Sequence, residues 1–228
     1  RAVEHNELHL VFQPVVALIS GALSGFEVLL RWQRTGGEFI PPSEFIPLAE
    51  ETGIIVPLGS WVINEACRED AEWQRQFPSE HPLTVSVNIS PRQLMQSAIV
   101  ETVAQALRRH SLEHGTLALE ITESALAEDA ATAMRGIKEL KTLGVQVLLD
   151  DFGTGYSSLG HLHRFPVDTV KIDRSFLTTD PSDVAGSNLL SAVIALAQNL
   201  DKGVIVEGIE TSEQVERLRA LDCPHGQG

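Results

Sequence analysis

The sequence predicts an α/β fold, a modified TIM-type (β/α)8 barrel whose first strand runs antiparallel to the others. Three observations predict it. Strand-like and helix-like segments alternate along most of the chain, the order that builds a parallel sheet with helical crossovers. Six apolar runs end in a metal-ligand or acid/base residue: GFEVLLRW (Glu27), LTVSVNIS (Asn88), LALEITES (Glu120), VQVLLDDFGTG (Asp150, Asp151), DTVKIDRSF (Lys171, Asp173) and GVIVEGIE (Glu207). Polar strand ends converging on one face are the anatomy of a barrel enzyme with its site at the C-terminal ends of its strands. The length, 228 residues, is also near the ~250 typical of one such barrel.

The elements follow in order. Leu8–Pro14 and Gly25–Trp32 read as strands joined by a tight turn at Ser20 and Gly21, and so short a connection forces them antiparallel. Pro41–Thr52 reads as a short helix with Ser43 as its N-cap. Pro57–Phe77 reads as a longer amphipathic helix, with Leu58, Trp61, Val62, Ala66, Ala71 and Trp73 apolar. Five strand–helix units then succeed one another. Their strands are Leu83–Asn88, Thr116–Ile121, Val145–Asp150, Thr169–Asp173 and Val204–Glu207, and their helices Pro91–His110, Ala125–Leu143, Ser157–Arg164, Asp183–Leu200 and Ser212–Leu221. The polar strand ends at 88, 120, 150, 171 and 207 are separated by 32, 30, 21 and 36 residues, one β–α unit each. This regularity favours a closed barrel over an open sheet.

Side chains alternate faces along a strand. Asn88 shares a face with Ser86 and Thr84, Glu120 with Ala118, and Lys171 with Asp173, while Val85, Val87, Leu119, Ile121, Val170 and Ile172 occupy the opposite face. The polar or small face points into the barrel and the aliphatic face toward the helices.

Composition limits the function classes. Hydrophobic residues make up 43% of the chain, enough for a sizeable core, and the formal net charge is −14. That charge opposes binding to duplex nucleic acid or an anionic membrane, but a small phosphate ligand is still accommodated where bound cations invert the local field. No apolar run approaches the ~18 residues of a membrane span. Cys67 and Cys223 form no CxxC pair and are expected as buried, reduced thiols. His161 and His163, two residues apart, are poorly spaced for one helix face and are read as incidental.

Carboxylates crowded at one mouth repel each other unless cations bind between them. Glu27, Asn88, Glu120, Asp150 and Asp151 offer only oxygen ligands, the donor set of Mg2+ or Mn2+. Adjacent carboxylates such as Asp150 and Asp151 can bridge a two-metal centre, which stabilises both the attacking and the leaving oxygen in phosphoryl displacement. The glycine-rich stretch Phe152–Tyr156 lacks the pattern of a nucleoside-triphosphate loop and reads instead as an active-site loop. Glu123 is placed to anchor that loop through the Thr154 hydroxyl or backbone N–H groups. Lys171 can orient water or neutralise charge on a phosphate oxygen; an ion pair with Asp173 is the alternative. Arg31 suits bidentate phosphate contact.

These residues resemble a known family. FQPVV, GFEVLLRW, VNIS, EITES, DDFGTGYSSL, VKIDRSF and VEGIE occur in the order found in the EAL-domain cyclic di-GMP phosphodiesterases of bacterial signalling, and the similarity covers essentially the whole chain. The resemblance implies metal-dependent hydrolysis of cyclic di-GMP to linear pGpG. It implies metal ligation by Glu27, Asn88, Glu120, Asp150 and Asp151, with two Mg2+ or Mn2+ ions per site and Ca2+ inhibitory. Lys171 and Glu207 would position or activate the attacking water, with Glu123 holding the glycine-rich loop. Gln13, Arg31, Asp173 and Gln227 would contact the dinucleotide, with Glu210 and Thr154 in support. It also implies a homodimer, fused sensor or GGDEF-type domains, and a bacterial cytoplasmic setting, tethered to a membrane only through other domains. Residues 1–228 are then one EAL-type domain of a longer signalling protein. A catalytically silent cyclic di-GMP receptor is the competing reading. Two departures stand out. The signature reads Glu27-Val28-Leu29 rather than Glu-Ala-Leu, and Val28 is expected to point away from the site. The family's final strand and helix are expected beyond Gly228, leaving a barrel with its C-terminal element truncated.

Overall fold

Two long strands, β1 (Leu8–Ala17) and β2 (Leu23–Gln33), form the predicted antiparallel hairpin. The computed structural model describes residues 5, 7–79, 82–153, 159–177 and 184–228. A short strand, β3 (Phe39–Ile40), pairs with the end of β2 and precedes helices α1 (Pro42–Thr52) and α2 (Ile55–Gln76). The rest alternates: β4 (Thr84–Asn88), α3 (Pro91–Leu94), α4 (Ala98–His110), β5 (Leu117–Thr122), α5 (Glu123–Glu128), α6 (Ala130–Thr142), β6 (Gln146–Phe152), α7 (Leu159–Arg164), β7 (Thr169–Ile172), α8 (Val184–Asn199), β8 (Gly203–Val206), α9 (Ser212–Ala220) and β9 (His225–Gly226). A single 3-10 turn, Arg174–Phe176, follows β7.

The sheet order β1-β9-β8-β7-β6-β5-β4-β2-β3, with β1 also paired to β2, closes an eight-stranded barrel carrying β3 as an appendage. Neighbours from β2 through β9 are parallel, and β1 is antiparallel to both β2 and β9. The expectation of a missing closing strand is corrected. His225 and Gly226 pair with Ile205 and Val206 on one side and with Ala17 and Val16 on the other, so closure is complete by residue 226. Gly226 suits this seam because a Cβ there would lie 2.4 Å from the Ile209 side chain and 2.8 Å from that of Leu18. Two residues carry no readable periodicity, which is why the strand is invisible in the sequence.

Strand phase sorts the core as predicted. Val85, Val87, Leu119, Ile121, Val147, Leu149, Val170, Ile172, Val204 and Val206 are buried in the layer that includes the helices, and Val28 joins them, facing away from the site. Val15, Ala118, Leu148 and Ile205 form a separate buried cluster, a plug inside the barrel. Full burial of each large aliphatic side chain contributes about 1.5–3 kcal/mol, so the scaffold beneath the mouth is rigid.

Several local expectations change. Ser43 is not an N-cap: Pro41 holds that position without a side-chain hydrogen bond, and Pro42 supplies the fixed φ that starts the helix. The predicted helix over 91–110 is two helices, with Ser90 and Gln93 forming a capping box on the first. The predicted helix over 125–143 likewise breaks at Asp129, whose carboxylate accepts from Ala131 N and Thr132 N at 3.1 Å and starts α6. The predicted starts at Ser157 and Asp183 lie outside the described residues. Cys67 and Cys223 are buried and unbridged. Among the described residues no helix is long and apolar enough to cross a membrane.

Candidate active site

The charged residues at the strand ends meet around one ammonium group. β2 carries Glu27 directly opposite Gln13 of β1. β4 places Asn88 beside Glu120 of β5, and β7 carries Lys171 beside Ile205. Lys171 is 1% exposed. Its Nζ lies 2.5 Å from Glu207 Oε1, 2.6 Å from Glu120 Oε2, 3.0 Å from Glu27 Oε2 and 3.5 Å from Asp150 Oδ1. The alternative pair with Asp173 does not form; Asp173 instead caps the 3-10 turn, accepting from Ser175 N at 2.9 Å.

The amides complete the polar shell. Asn88 Nδ2 donates to Glu27 Oε1 at 2.8 Å, and Gln227 Nε2 donates to Glu27 Oε2 at 2.7 Å. Ser86, also buried, donates to Glu120 Oε1. Strand phase had put Ser86 on the inward face, but sequence reasoning gave it no role; the phase was the signal available.

Burial governs the electrostatics, and shared charge opposes it. Burial raises the Glu120 carboxyl well above the usual carboxylate range; Lys171 pulls it down, but that ammonium is divided among several acids. Burial also opposes charge on Glu27, yet Lys171 and the hydrogen bonds from Gln227, Lys171 and Asn88 hold it below the usual range. Burial raises Glu207 against the pull of Lys171, and it raises Asp151, helped by repulsion from Asp150. Lys171 itself is raised: burial works against its charge, but Glu120, Asp150, Glu27 and Glu207 outweigh that and fix it as an ammonium.

Asp151 adopts a left-handed conformation, φ 54°, and the β6–β7 register shifts between Leu149 and Phe152. This local irregularity re-aims a residue that regular pleating would send to the opposite face. Ligand atoms of Asp150, Asp151 and Glu207 accordingly lie within 4.8 Å of one another. Asp150 Oδ1 is buried and accepts no hydrogen bond. An all-oxygen cluster with one buried acceptor that takes no hydrogen bond, and has only Lys171 Nζ at 3.5 Å as counter-charge, fits a hard divalent cation. Glu207, expected to act on water, thus stands both with the acids that can hold a metal and against Lys171 Nζ, which also engages Glu27 and Glu120, with Asn88 joined through Glu27.

A pocket of about 250 Å3 opens over this centre, lined by Gln13, Glu27, Asp150, Lys171, Asp173, Glu207 and Gln227, together with Leu29, Arg174 and Gly208. Gln227 is buried, and its Oε1 lacks a hydrogen-bond partner. Arg31 and Asn88 border an adjoining groove between the barrel and the first helices. Glu123 is buried at the start of α5, where its Oε2 accepts from Gly153 N at a long 3.5 Å. Glu210 is exposed on the rim, its backbone N donating to Gln214 Oε1. Thr154 lies outside the described residues. Sequence reasoning overlooked Arg174, which carries the mouth's other cation.

Comparison with known proteins agrees with this geometry. MucR of Pseudomonas aeruginosa, a bifunctional diguanylate cyclase/cyclic di-GMP phosphodiesterase, is 40% identical over 228 residues, covering 100% of this chain and 33% of MucR. The cyclic di-GMP phosphodiesterase PdeR of Escherichia coli is 40% identical over 214 residues, 94% of this chain and 32% of PdeR. The chain therefore spans about a third of the length of these relatives. The solved PaMucR phosphodiesterase in complex with c-di-GMP superposes with a TM-score of 0.92 at 40% identity, covering 100% of this chain and 91% of that one. The FimX EAL domain of Pseudomonas aeruginosa bound to c-di-GMP gives 0.89 at 28% identity, covering 100% and 90%. A family model described as the EAL domain matches residues 1–228, and with its barrel and acidic mouth this chain belongs to the EAL-domain family.

Proposed function

We propose that this domain is a metal-dependent phosphodiesterase that hydrolyses one phosphodiester of cyclic di-GMP to linear pGpG. The observation that carries the proposal is the acidic cluster beside Lys171, where Asp150 Oδ1 is buried without a hydrogen bond and the acids outnumber the one ammonium they share. Asp150, Asp151 and Glu207, with Glu27, Asn88 and Glu120 on the Lys171 side, would hold two Mg2+ or Mn2+ ions. Bound there, such ions would supply positive charge against the phosphoryl oxygens and lower the pKa of water.

The chain's own residues do the rest. Lys171, permanently charged, ties Glu27, Glu120 and Glu207 into one arrangement and leaves none of them to collapse onto another. Its charge also favours the negative charge that develops on the phosphorus oxygens. Asn88 and Gln227 orient Glu27 through their amide donors. Glu207, held against Lys171 Nζ and beside Asp150 and Asp151, would position the attacking water for in-line displacement, in which the bond from water oxygen to phosphorus forms as the bond to the 3′-oxygen breaks. Gln13, Arg31 and Asp173 would contact the dinucleotide around this point, with Glu123 fixing the loop after β6 and Glu210 and Thr154 supporting it. We place the domain in the bacterial cytoplasm, as a homodimer within a longer protein bearing sensor or GGDEF-type regions.

The test is turnover of cyclic di-GMP by the purified chain with Mg2+ or Mn2+, beside Glu27→Ala. Appearance of pGpG, abolished in the variant, is the expected result. Tight nucleotide binding without product would favour the silent-receptor reading. Neither binding nor turnover would reject both.

A further inference from the structure

Resting on that reading, we infer that Arg174 is a substrate-binding residue that grips a phosphate of the cyclic dinucleotide from the β7–β8 side of the mouth. The need for it comes from the charge inventory. Glu27, Asp150, Asp173 and Glu207 line the pocket together with two cations, Lys171 and Arg174. The Lys171 ammonium is already committed to four carboxylates. A cyclic dinucleotide brings two phosphodiester anions, and the less committed of the pocket's two cations is Arg174, which among the described residues faces one carboxylate, Asp173, where Lys171 faces four.

The arginine is built for this task. It is exposed, and the charge partner it shows among the described residues is the neighbouring Asp173, whose carboxyl it helps to lower. Its stem is nonetheless held in place. It lies across Gly208, where φ is +68° and an added Cβ would stand 2.4 Å from Arg174 Cβ and 3.3 Å from Cδ. Only glycine permits that approach. The 3-10 turn capped by Asp173 fixes the backbone at the same point. A packed stem with an exposed head loses little entropy when it binds.

Its place on the barrel complements Arg31. From β7 to β2 the sheet order runs β7-β6-β5-β4-β2 in one direction and β7-β8-β9-β1-β2 in the other, four steps either way around eight strands. Arg31 on β2 and Arg174 after β7 therefore flank the mouth from opposite sides, a spacing suited to a ligand with two separated anions.

Isothermal titration of cyclic di-GMP in Ca2+ buffer tests the assignment on the folded chain, using native protein, Arg174→Ala, Arg174→Lys, and Arg135→Ala as an exposed control on α6. We expect Kd to weaken about tenfold or more in Arg174→Ala, with partial recovery in the lysine variant, which keeps the charge but not the fork of donors. The salt dependence of binding flattens in Arg174→Ala. With Mg2+, the loss falls on KM more than on kcat. A Kd within about twofold of native for Arg174→Ala, or an equal loss in Arg135→Ala, overturns the assignment while leaving the phosphodiesterase reading intact. Failure of the native chain to bind at all overturns that reading, and this assignment with it.

Discussion

The two ends of the barrel bury carboxylates in different company. At the mouth, Glu120 at 1% and Glu27 at 7% exposure surround Lys171 and share its charge. At the foot, Asp70 of α2 is equally buried, at 1% exposure, and has no cation partner among the described residues. It accepts a hydrogen bond from Gln74 Nε2 at 3.0 Å, and burial pushes it up to about 6. Asp70 borders a cavity of about 550 Å3 lined by Phe26, Trp73, Phe77 and Leu83, larger than the pocket at the mouth. Size therefore does not mark the reactive end. Burial raises Glu120 at the mouth as it raises Asp70 at the foot, but at the mouth Lys171 pulls against that rise and, with hydrogen bonds, holds Glu27 below the usual range, whereas at the foot hydrogen bonds alone oppose burial.

The comparison breaks most sharply at Lys171. Lys171→Met leaves several buried carboxylates without their cation, and chemical denaturation in metal-free buffer should show a loss of roughly 3–5 kcal/mol, with turnover abolished. A loss well under 1 kcal/mol would mean that the acids neutralise themselves, as Asp70 does.

Asp70→Asn probes the foot, with the opposite sign. The folded carboxyl holds its proton up to about pH 6, against an ordinary value of 3.8. Its contribution to stability is therefore full below about pH 4 and is lost as pH rises through 6. The asparagine variant has no such slope, so it should match the native chain near pH 4 and exceed it by up to about 3 kcal/mol at pH 7. Parallel stability curves across that range would show that Asp70 titrates normally.

Ser86→Ala sharpens the mouth. Removing the hydroxyl that donates to Glu120 should cost about 1 kcal/mol of stability and lower turnover severalfold, with Ser86→Thr restoring part of both. Unchanged turnover in the alanine variant would leave Lys171 as the sole determinant of the Glu120 position. The smallest effect is expected at Glu7, on the exposed side of the hairpin. Hydrogen bonds from Thr35 N, Thr35 Oγ1 and Trp32 Nε1 hold its carboxyl down at about 2, against the usual 4.5. Its stabilisation is thus present above about pH 4.5 and fades as pH falls toward 2. Glu7→Gln should lower the thermal midpoint slightly at pH 7, by less as the medium is acidified; an equal loss at every pH would assign the effect to packing instead.

Much of this was legible before the structure. The period-two alternation in VSVN and VKI fixed which side chains face inward, and therefore that Ser86, Glu120 and Lys171 share an interior. Recurring strand–helix units fixed the barrel. Pairings that depend on closure were not legible. Lys171 meets Glu27 across 144 residues, a contact that no local pattern encodes. The re-aiming of Asp151 depends on one left-handed residue, and the breaks at Asp129 and after Leu94 fall where apolar periodicity continues. Glu207's place beside Asp150 and Asp151 follows from strand order, not spacing.

The seam made by His225 and Gly226 has a consequence for how the molecule is made. Gln227 N donates to Val206 O, Ile209 N donates to Gln227 O, and the Gln227 side chain reaches Glu27, 200 residues earlier. During synthesis, β1 must wait with an unpaired edge until residue 226 leaves the ribosome. The last stitch of the sheet and the final donor to Glu27 therefore arrive together, and an incomplete nascent chain holds neither a closed barrel nor a finished reactive centre.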